Sequence, residues 1–173
     1  YVPTAGMIGT SLADDGVDTS EVRRAGSTGT IVALVDHLGE RSMLTDRRAC
    51  VDLSEPDPSW LDGVDVLHVP FYSLATGQIA APAATVIGWA HERAIPVSID
   101  VSSTAILVEV GIVEVHRRLT ETAPTVVFAN ADEAAVLGID APVAGAVTVI
   151  KRGPRPALLR CPDGSVMEVD GIA

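Results

Sequence analysis

From residue 64 onward, the apolar positions switch repeatedly between two kinds of pattern. Short apolar runs at 64–69, 96–99, 125–129 and 147–150 are bounded by polar or turn-forming residues and read as strands. Between them, 78–93 is rich in alanine and reads as a helix. The stretch 104–119 carries apolar residues at helical spacing and closes on Arg117-Arg118, which suits the negative end of a helix dipole. A shorter helix is predicted over 132–137. Strands that alternate with helices in this way imply a parallel sheet with right-handed crossovers. Beyond it, 157–160 and 166–169 are joined through Pro162-Asp163-Gly164 and predict an antiparallel hairpin.

The first part of the chain has a different rhythm. Residues 30–35 and 42–45 are β-like and flank His37-Leu38-Gly39-Glu40-Arg41, a hairpin with a glycine-bearing turn. Leu12-Ala13-Asp14-Asp15-Gly16 reads as a helix end closed by glycine. After the hairpin comes a proline-containing loop, Glu55-Pro56-Asp57-Pro58. Two strands alone are marginal in water, so the hairpin is expected to be an appendage of the sheet domain. No internal repeat or low-complexity tract interrupts the 173 residues, which fit one domain with a real core.

Composition narrows the class. Apolar residues make up 47% of the chain, too many for a disordered protein. The apolar run most suited to a membrane, 79–90, is broken by Pro82, so no membrane span is expected. The net charge of −11 argues against a nucleic-acid partner, which would need a basic surface. Cys50 and Cys161 lack metal-ligand spacing and read as free thiols of a cytoplasmic protein. The chain opens on Tyr1 rather than methionine, and a segment is expected to precede it.

The chemistry gathers at strand ends. The run 64–69 leads to Tyr72, 96–99 to Asp100-Val101-Ser102-Ser103, 125–129 to Asn130, and 147–150 to Lys151 and Gly153. In a parallel sheet these ends share one edge, the edge at which such sheets bind ligands. Each residue has a plainer explanation beside the functional one. Asn130 with Glu133 fits a helix capping box, yet a carboxylate there can also hold magnesium through water. Lys151 is the only lysine of the sequence. It reads either as a surface lysine or as a point charge for phosphate. Gly153 reads as a turn or as a point of close backbone approach. Ser103 reads as the cap of the helix after it, and the four histidines show no ligand spacing. The hairpin tip is either a solvated turn or a lid. Walker loops, dinucleotide fingerprints and nucleophile elbows are missing from the sequence.

Taken in order, these pieces resemble the ribokinase-like (PfkB-type) carbohydrate kinases. Gly6 to Leu12 followed by Gly16-Val17-Asp18-Thr19 resembles the family's helix and "GVDT" segment. Residues 28–36 with Gly39-Glu40-Arg41-Ser42 resemble its lid hairpin. Asp65-Val66-Leu67-His68-Val69 with Tyr72-Ser73-Leu74, and Pro96-Val97-Ser98-Ile99-Asp100, resemble two strands of its sheet. Asn130-Ala131-Asp132-Glu133 matches its N-x-x-E motif, and Val149-Ile150-Lys151-Arg152-Gly153 the strand that precedes nucleotide contacts.

The resemblance implies an α/β fold with three layers, a mostly parallel sheet and a lid over about 28–50 of one partial domain, 1–173. It implies transfer of the γ-phosphoryl group of ATP to a hydroxyl of a sugar or nucleoside, with Mg2+. Asn130, Lys151 and Gly153 would bind nucleotide and Glu133 the metal through water. Tyr72, Asp100 and Arg41 would border the substrate, and a homodimer would form through the lid. The family's catalytic aspartate is expected beyond Ala173, and its first sugar-binding strand before Tyr1, so this segment alone is expected to be inactive. Pro156 stands where the family has glycine, and the family's sugar-contacting acid is replaced near Phe71 or Tyr72. The particular sugar is therefore not implied. The alternative is a nucleotide- or metabolite-binding module without catalysis; a third reading is a structural α/β domain whose caps mimic the motif.

Overall fold

A computed structural model describes residues 4–23, 26–39, 41–75 and 77–171. The chain divides into two compact units, Tyr1–Leu53 and Ser54–Ala173. Glu40, part of the expected hairpin tip, lies outside the described residues.

The first unit holds α1 (Thr4–Asp14), β1 (Thr30–Val35) and β2 (Arg41–Asp46). The helix ends as the sequence predicts, with the Val17 N–H returning to the Leu12 carbonyl at 2.9 Å. The two strands pair antiparallel from Thr30 opposite Asp46 to Val35 opposite Arg41. Their β-branched content suits a pleated ribbon, and Asp36 Oδ1 accepts the Leu38 N–H at 2.8 Å to start the turn. Every residue of both strands is exposed. Ile31, Val32, Leu34 and Leu44 are each more than half exposed, so the ribbon is apolar on both faces.

The second unit carries β3 (Leu67–Pro70), α2 (Tyr72–Ala75), α3 (Gly77–Glu92), β4 (Val97–Asp100), α4 (Thr104–Val110), α5 (Ile112–Thr122), β5 (Val126–Asn130), α6 (Ala131–Leu137), β6 (Val147–Arg152), β7 (Arg155–Arg160) and β8 (Val166–Val169). The six strands lie side by side in chain order. Strands β3 to β6 are mutually parallel, and β7 and β8 extend the sheet antiparallel. Each crossover steps in the same direction, so right-handed connections carry the helices to one face. That face is the core. Val69, Ile99, Val127, Ala129 and Ile150 are buried with Val86, Ile87, Leu107, Val115 and Leu119 of the helices. Burial of a side chain such as Ile99 or Leu119 contributes roughly 1.5–3 kcal/mol.

Two differences from the sequence pattern have clear causes. The helix predicted over 104–119 is broken into α4 and α5 by Gly111, whose φ of +89° is foreign to a helix and inexpensive only for glycine. The turn of helix α2 has too few residues to show a period, and its Leu74 is buried while Tyr72 and Ser73 are not.

Candidate functional site

The parallel strands end together. Pro70 lies beside Asp100 and Asp100 beside Phe128, and Asn130 lies beside Lys151. Asn130 is two residues beyond Phe128, so Asp100, Asn130 and Lys151 project from the same face of the sheet at its C-terminal edge. This is the face opposite the helical core, and it also carries His68, Ser98 and Val149. Tyr72, the first residue of α2, follows β3 at the same edge. Strand order does not reverse among the described strands, so the edge alone, rather than a reversal point, gathers these groups.

Asn130 and Glu133 form a complete capping box. Asn130 Oδ1 accepts the N–H groups of Asp132 and Glu133, each at 2.9 Å, and Glu133 Oε2 accepts the Asn130 N–H at 2.7 Å. The structural explanation of these residue types therefore holds. It does not use all their atoms, since the Asn130 amide nitrogen and Glu133 Oε1 take no part in the box. Glu133 is only 3% exposed. Burial pushes its carboxyl above the usual range, opposed by the Asn130 N–H; the nearby Asp100 and Asp132 add to the rise and Lys151 opposes it. Three charged side chains thus act on Glu133 at this edge.

Lys151 is not simply solvated. Its Nζ donates to Asp100 Oδ2 at 2.6 Å, with the lysine about half exposed and the aspartate about a quarter exposed. The other carboxylate oxygen, Asp100 Oδ1, accepts the Ser102 N–H at 2.8 Å, and Ser102 Oγ donates to the Asp100 carbonyl at 3.0 Å. Ser102 sits at φ +76°, a region sparsely used by non-glycine residues and often met at functional sites. The β6–β7 register shifts between Ile150 and Arg152, so Lys151 lies at a strand irregularity of the kind that re-aims a side chain.

Gly153 forms the β6–β7 turn at φ +62°, and a side chain there would meet nothing within 4 Å. Its conformation explains the glycine without close approach of a ligand. Arg152 is committed elsewhere, donating to the Pro156 carbonyl at 2.6 Å and to Glu168 at 2.7 Å. Ser103 caps α4 as predicted, accepting the Ile106 N–H at 3.5 Å. Three of the four histidines tie elements together: His91 to the Thr122 carbonyl, His116 to the Leu137 carbonyl, and His68 Nδ1 to Ser98 Oγ at 2.9 Å. Arg41 opens β2 in the first unit.

Among the described residues, no three His, Cys, Asp or Glu side chains cluster as a metal cage. The carboxylates at the edge, Asp100 and Glu133, are hard oxygen donors of the kind that suit a cation which keeps waters and phosphate oxygens as its other ligands, as Mg2+ does. No helix of the described residues is long and apolar enough to cross a membrane.

Comparison with solved structures bears out the fold. Adenosine kinase from Sinorhizobium meliloti matches 98% of this chain with a TM-score of 0.83 at 17% identity, over 56% of its own length. Fructokinase from Halothermothrix orenii matches 95% of this chain with a TM-score of 0.80 at 16% identity, over 63% of its length. A protein from E. coli described as ribokinase II, solved with ATP and Mg2+, matches 96% of this chain with a TM-score of 0.72 at 19% identity, over 58% of its length. No protein-family model and no curated protein matches the sequence. The chain has the ribokinase-like α/β fold, with a mostly parallel sheet and a separate two-stranded ribbon. It spans 56–63% of the length of these structures.

Proposed function

We propose that the chain belongs to a ribokinase-like carbohydrate kinase, which transfers the γ-phosphoryl group of ATP to a hydroxyl of a sugar or nucleoside. The observation that carries this reading is the pairing of Asn130 with Lys151 on adjacent strands, with Asp100 on the same face. An amide, an ammonium and two carboxylates thereby meet at one edge. The kinases of the same fold, one of them solved with ATP and Mg2+, support it.

In this reading Asn130 and Lys151 contact phosphate oxygens, and Gly153 lies beside the nucleotide. Glu133, with Asp100 near it, holds Mg2+ through water. The ion supplies neutralisation of the charge that builds on the phosphates, which together with positioning is most of what phosphoryl transfer needs. A bond forms from the acceptor hydroxyl oxygen to the γ-phosphorus, the bond to the β-phosphate oxygen breaks, and the hydroxyl proton passes to a base. We assign that base to none of the described residues. Tyr72 borders the acceptor, and Arg41 belongs to the β1–β2 ribbon of the first unit. The ribbon's apolar faces support pairing with a second copy. The free thiols Cys50 and Cys161 support a cytoplasmic location.

The test is ADP release by the full-length protein from ATP and Mg2+ against a panel of sugars and nucleosides. Turnover that needs both Mg2+ and an acceptor supports the kinase. Nucleotide binding without turnover supports the binding module, and absence of nucleotide binding leaves a structural domain.

A further inference from the structure

The Asp100–Lys151 ion pair joins a lysine assigned to the nucleotide with an aspartate expected to border the acceptor. We propose that Asp100 is a positioning residue that holds the Lys151 ammonium and makes polyphosphate binding at this edge depend on a divalent cation. The inference rests on the nucleotide reading above and adds the order in which charges must be satisfied.

Three observations carry it. First, the ammonium is already engaged: Lys151 Nζ lies 2.6 Å from Asp100 Oδ2. Second, the carboxylate is fixed before any ligand arrives. Its other oxygen is held by the Ser102 N–H at 2.8 Å, in a turn whose Ser102 occupies the left-handed region. A side chain anchored at one oxygen presents the other in a set direction. Third, the local charge is negative. Asp100 is paired with Lys151 at 2.6 Å, and Asp132 and Glu133 occupy the first turn of α6 beside Asn130, so three acids share this edge with one lysine. A bare triphosphate therefore meets net repulsion and an ammonium that is already paired. A divalent cation relieves both, because it neutralises the acids and lets Asp100 release the lysine to the phosphates.

Asp100→Asn isolates the effect. It keeps an oxygen to accept the Ser102 N–H and removes one charge. Binding of ATP to the full chain is measured by calorimetry in EDTA and in Mg2+, at low salt. Asp100→Asn is expected to tighten binding of metal-free ATP by about tenfold and to shrink the gain that Mg2+ gives, since one like charge near a phosphate has an effect of that order. Adding Lys151→Met to Asp100→Asn is expected to abolish the gain.

A second readout does not use nucleotide. Reductive 13C-methylation labels the only lysine in this sequence, and its NMR signal reports the ion pair directly. The signal is expected to differ between wild type and Asp100→Asn without ligand, and to move in wild type when ATP and Mg2+ are added. If Asp100→Asn is unstable, Asp100→Ser serves both measurements.

Wild-type binding of Mg-ATP with no tightening for metal-free ATP in the Asp100 variants overturns the inference and leaves the nucleotide reading standing. An identical lysine signal in wild type and variant also overturns it. Failure of the wild type to bind any nucleotide overturns both.

Discussion

Asn130 and Lys151 are register partners on β5 and β6, side by side at the edge where both strands end. Their sequence neighbours Ala129 and Ile150 are buried on the opposite face of the sheet, which fixes the direction of both polar side chains. Lys151 is half exposed, and its ion pair is of the kind that contributes little to stability. Lys151→Met is therefore expected to change unfolding free energy by less than about 1 kcal/mol. It should weaken Mg-ATP binding at least about tenfold, since one charge-assisted contact to phosphate is lost. Urea unfolding and calorimetric titration of the same preparation check the two halves.

Asn130 separates capping from ligand chemistry. Asn130→Ala removes the acceptor for two helix N–H groups and is expected to lose about 1 kcal/mol of stability. Asn130→Asp keeps the cap, because aspartate is as good at that position. It also adds a negative charge to an acidic edge, so nucleotide affinity should fall while the unfolding free energy holds. Unchanged nucleotide affinity in both variants would leave Asn130 a cap alone.

Glu133 gives a pH signature. Burial raises its carboxyl above the usual value of 4.5, so the folded chain holds this proton more tightly than the unfolded chain. The sign follows: this group favours folding fully at pH below 4.5 and loses that contribution as pH rises through the raised value. Glu133→Gln retains the oxygen that accepts the Asn130 N–H and removes the titration. It should flatten that limb of the stability profile and leave stability at pH 7 equal or up to about 1 kcal/mol higher. Mg-dependent turnover of the full chain should nevertheless fall.

Glu114 acts in the opposite sense. Hydrogen bonds from Arg117 and then Arg118 hold its carboxyl down at about 2. Its contribution is complete above the ordinary value of 4.5 and is lost as pH falls toward about 2. Glu114→Gln should make acid unfolding less steep over that interval. Circular dichroism during acid titration measures it.

The strands of the second unit followed from their apolar runs, although the run 64–69 begins three residues ahead of β3. The predicted spans 96–99, 125–129 and 147–150 lie within two residues of β4, β5 and β6 at every boundary. Such runs are readable because both periodicity and burial act on consecutive residues. The capping box was readable for the same reason, since its two members are three apart. The Asp100–Lys151 pair was not, because its members are separated by two crossovers and only the register of three strands brings them together. Glycine at 111 was visible as a letter, but whether it would bend, cap or break the helix depended on the packing around it. The strained Ser102 left no sequence signal, because serine at a strand end usually reads as a cap.

Core and ribbon should respond differently to truncation. Phe71 is fully buried at the β3–α2 junction, and its N–H binds the Asp100 carbonyl at 2.8 Å. Phe71→Ala is expected to lose about 3–5 kcal/mol. Leu44 on β2 is 62% exposed in the single chain, so Leu44→Ala should change the stability of the unpaired chain by less than about 0.5 kcal/mol. Denaturant midpoints of the two variants provide the comparison.

The unbroken order of β3 through β8 has a consequence for how the domain is made. Each strand docks on the one synthesised just before it, so the sheet can lengthen by one strand at a time as chain leaves the ribosome. No strand among those described must wait for a partner beyond the next one along the chain, so each parallel pairing closes a single crossover. The polar edge is completed late in this sequence: Asp100 and Asn130 are in position first, and Lys151 joins them only when β6 arrives.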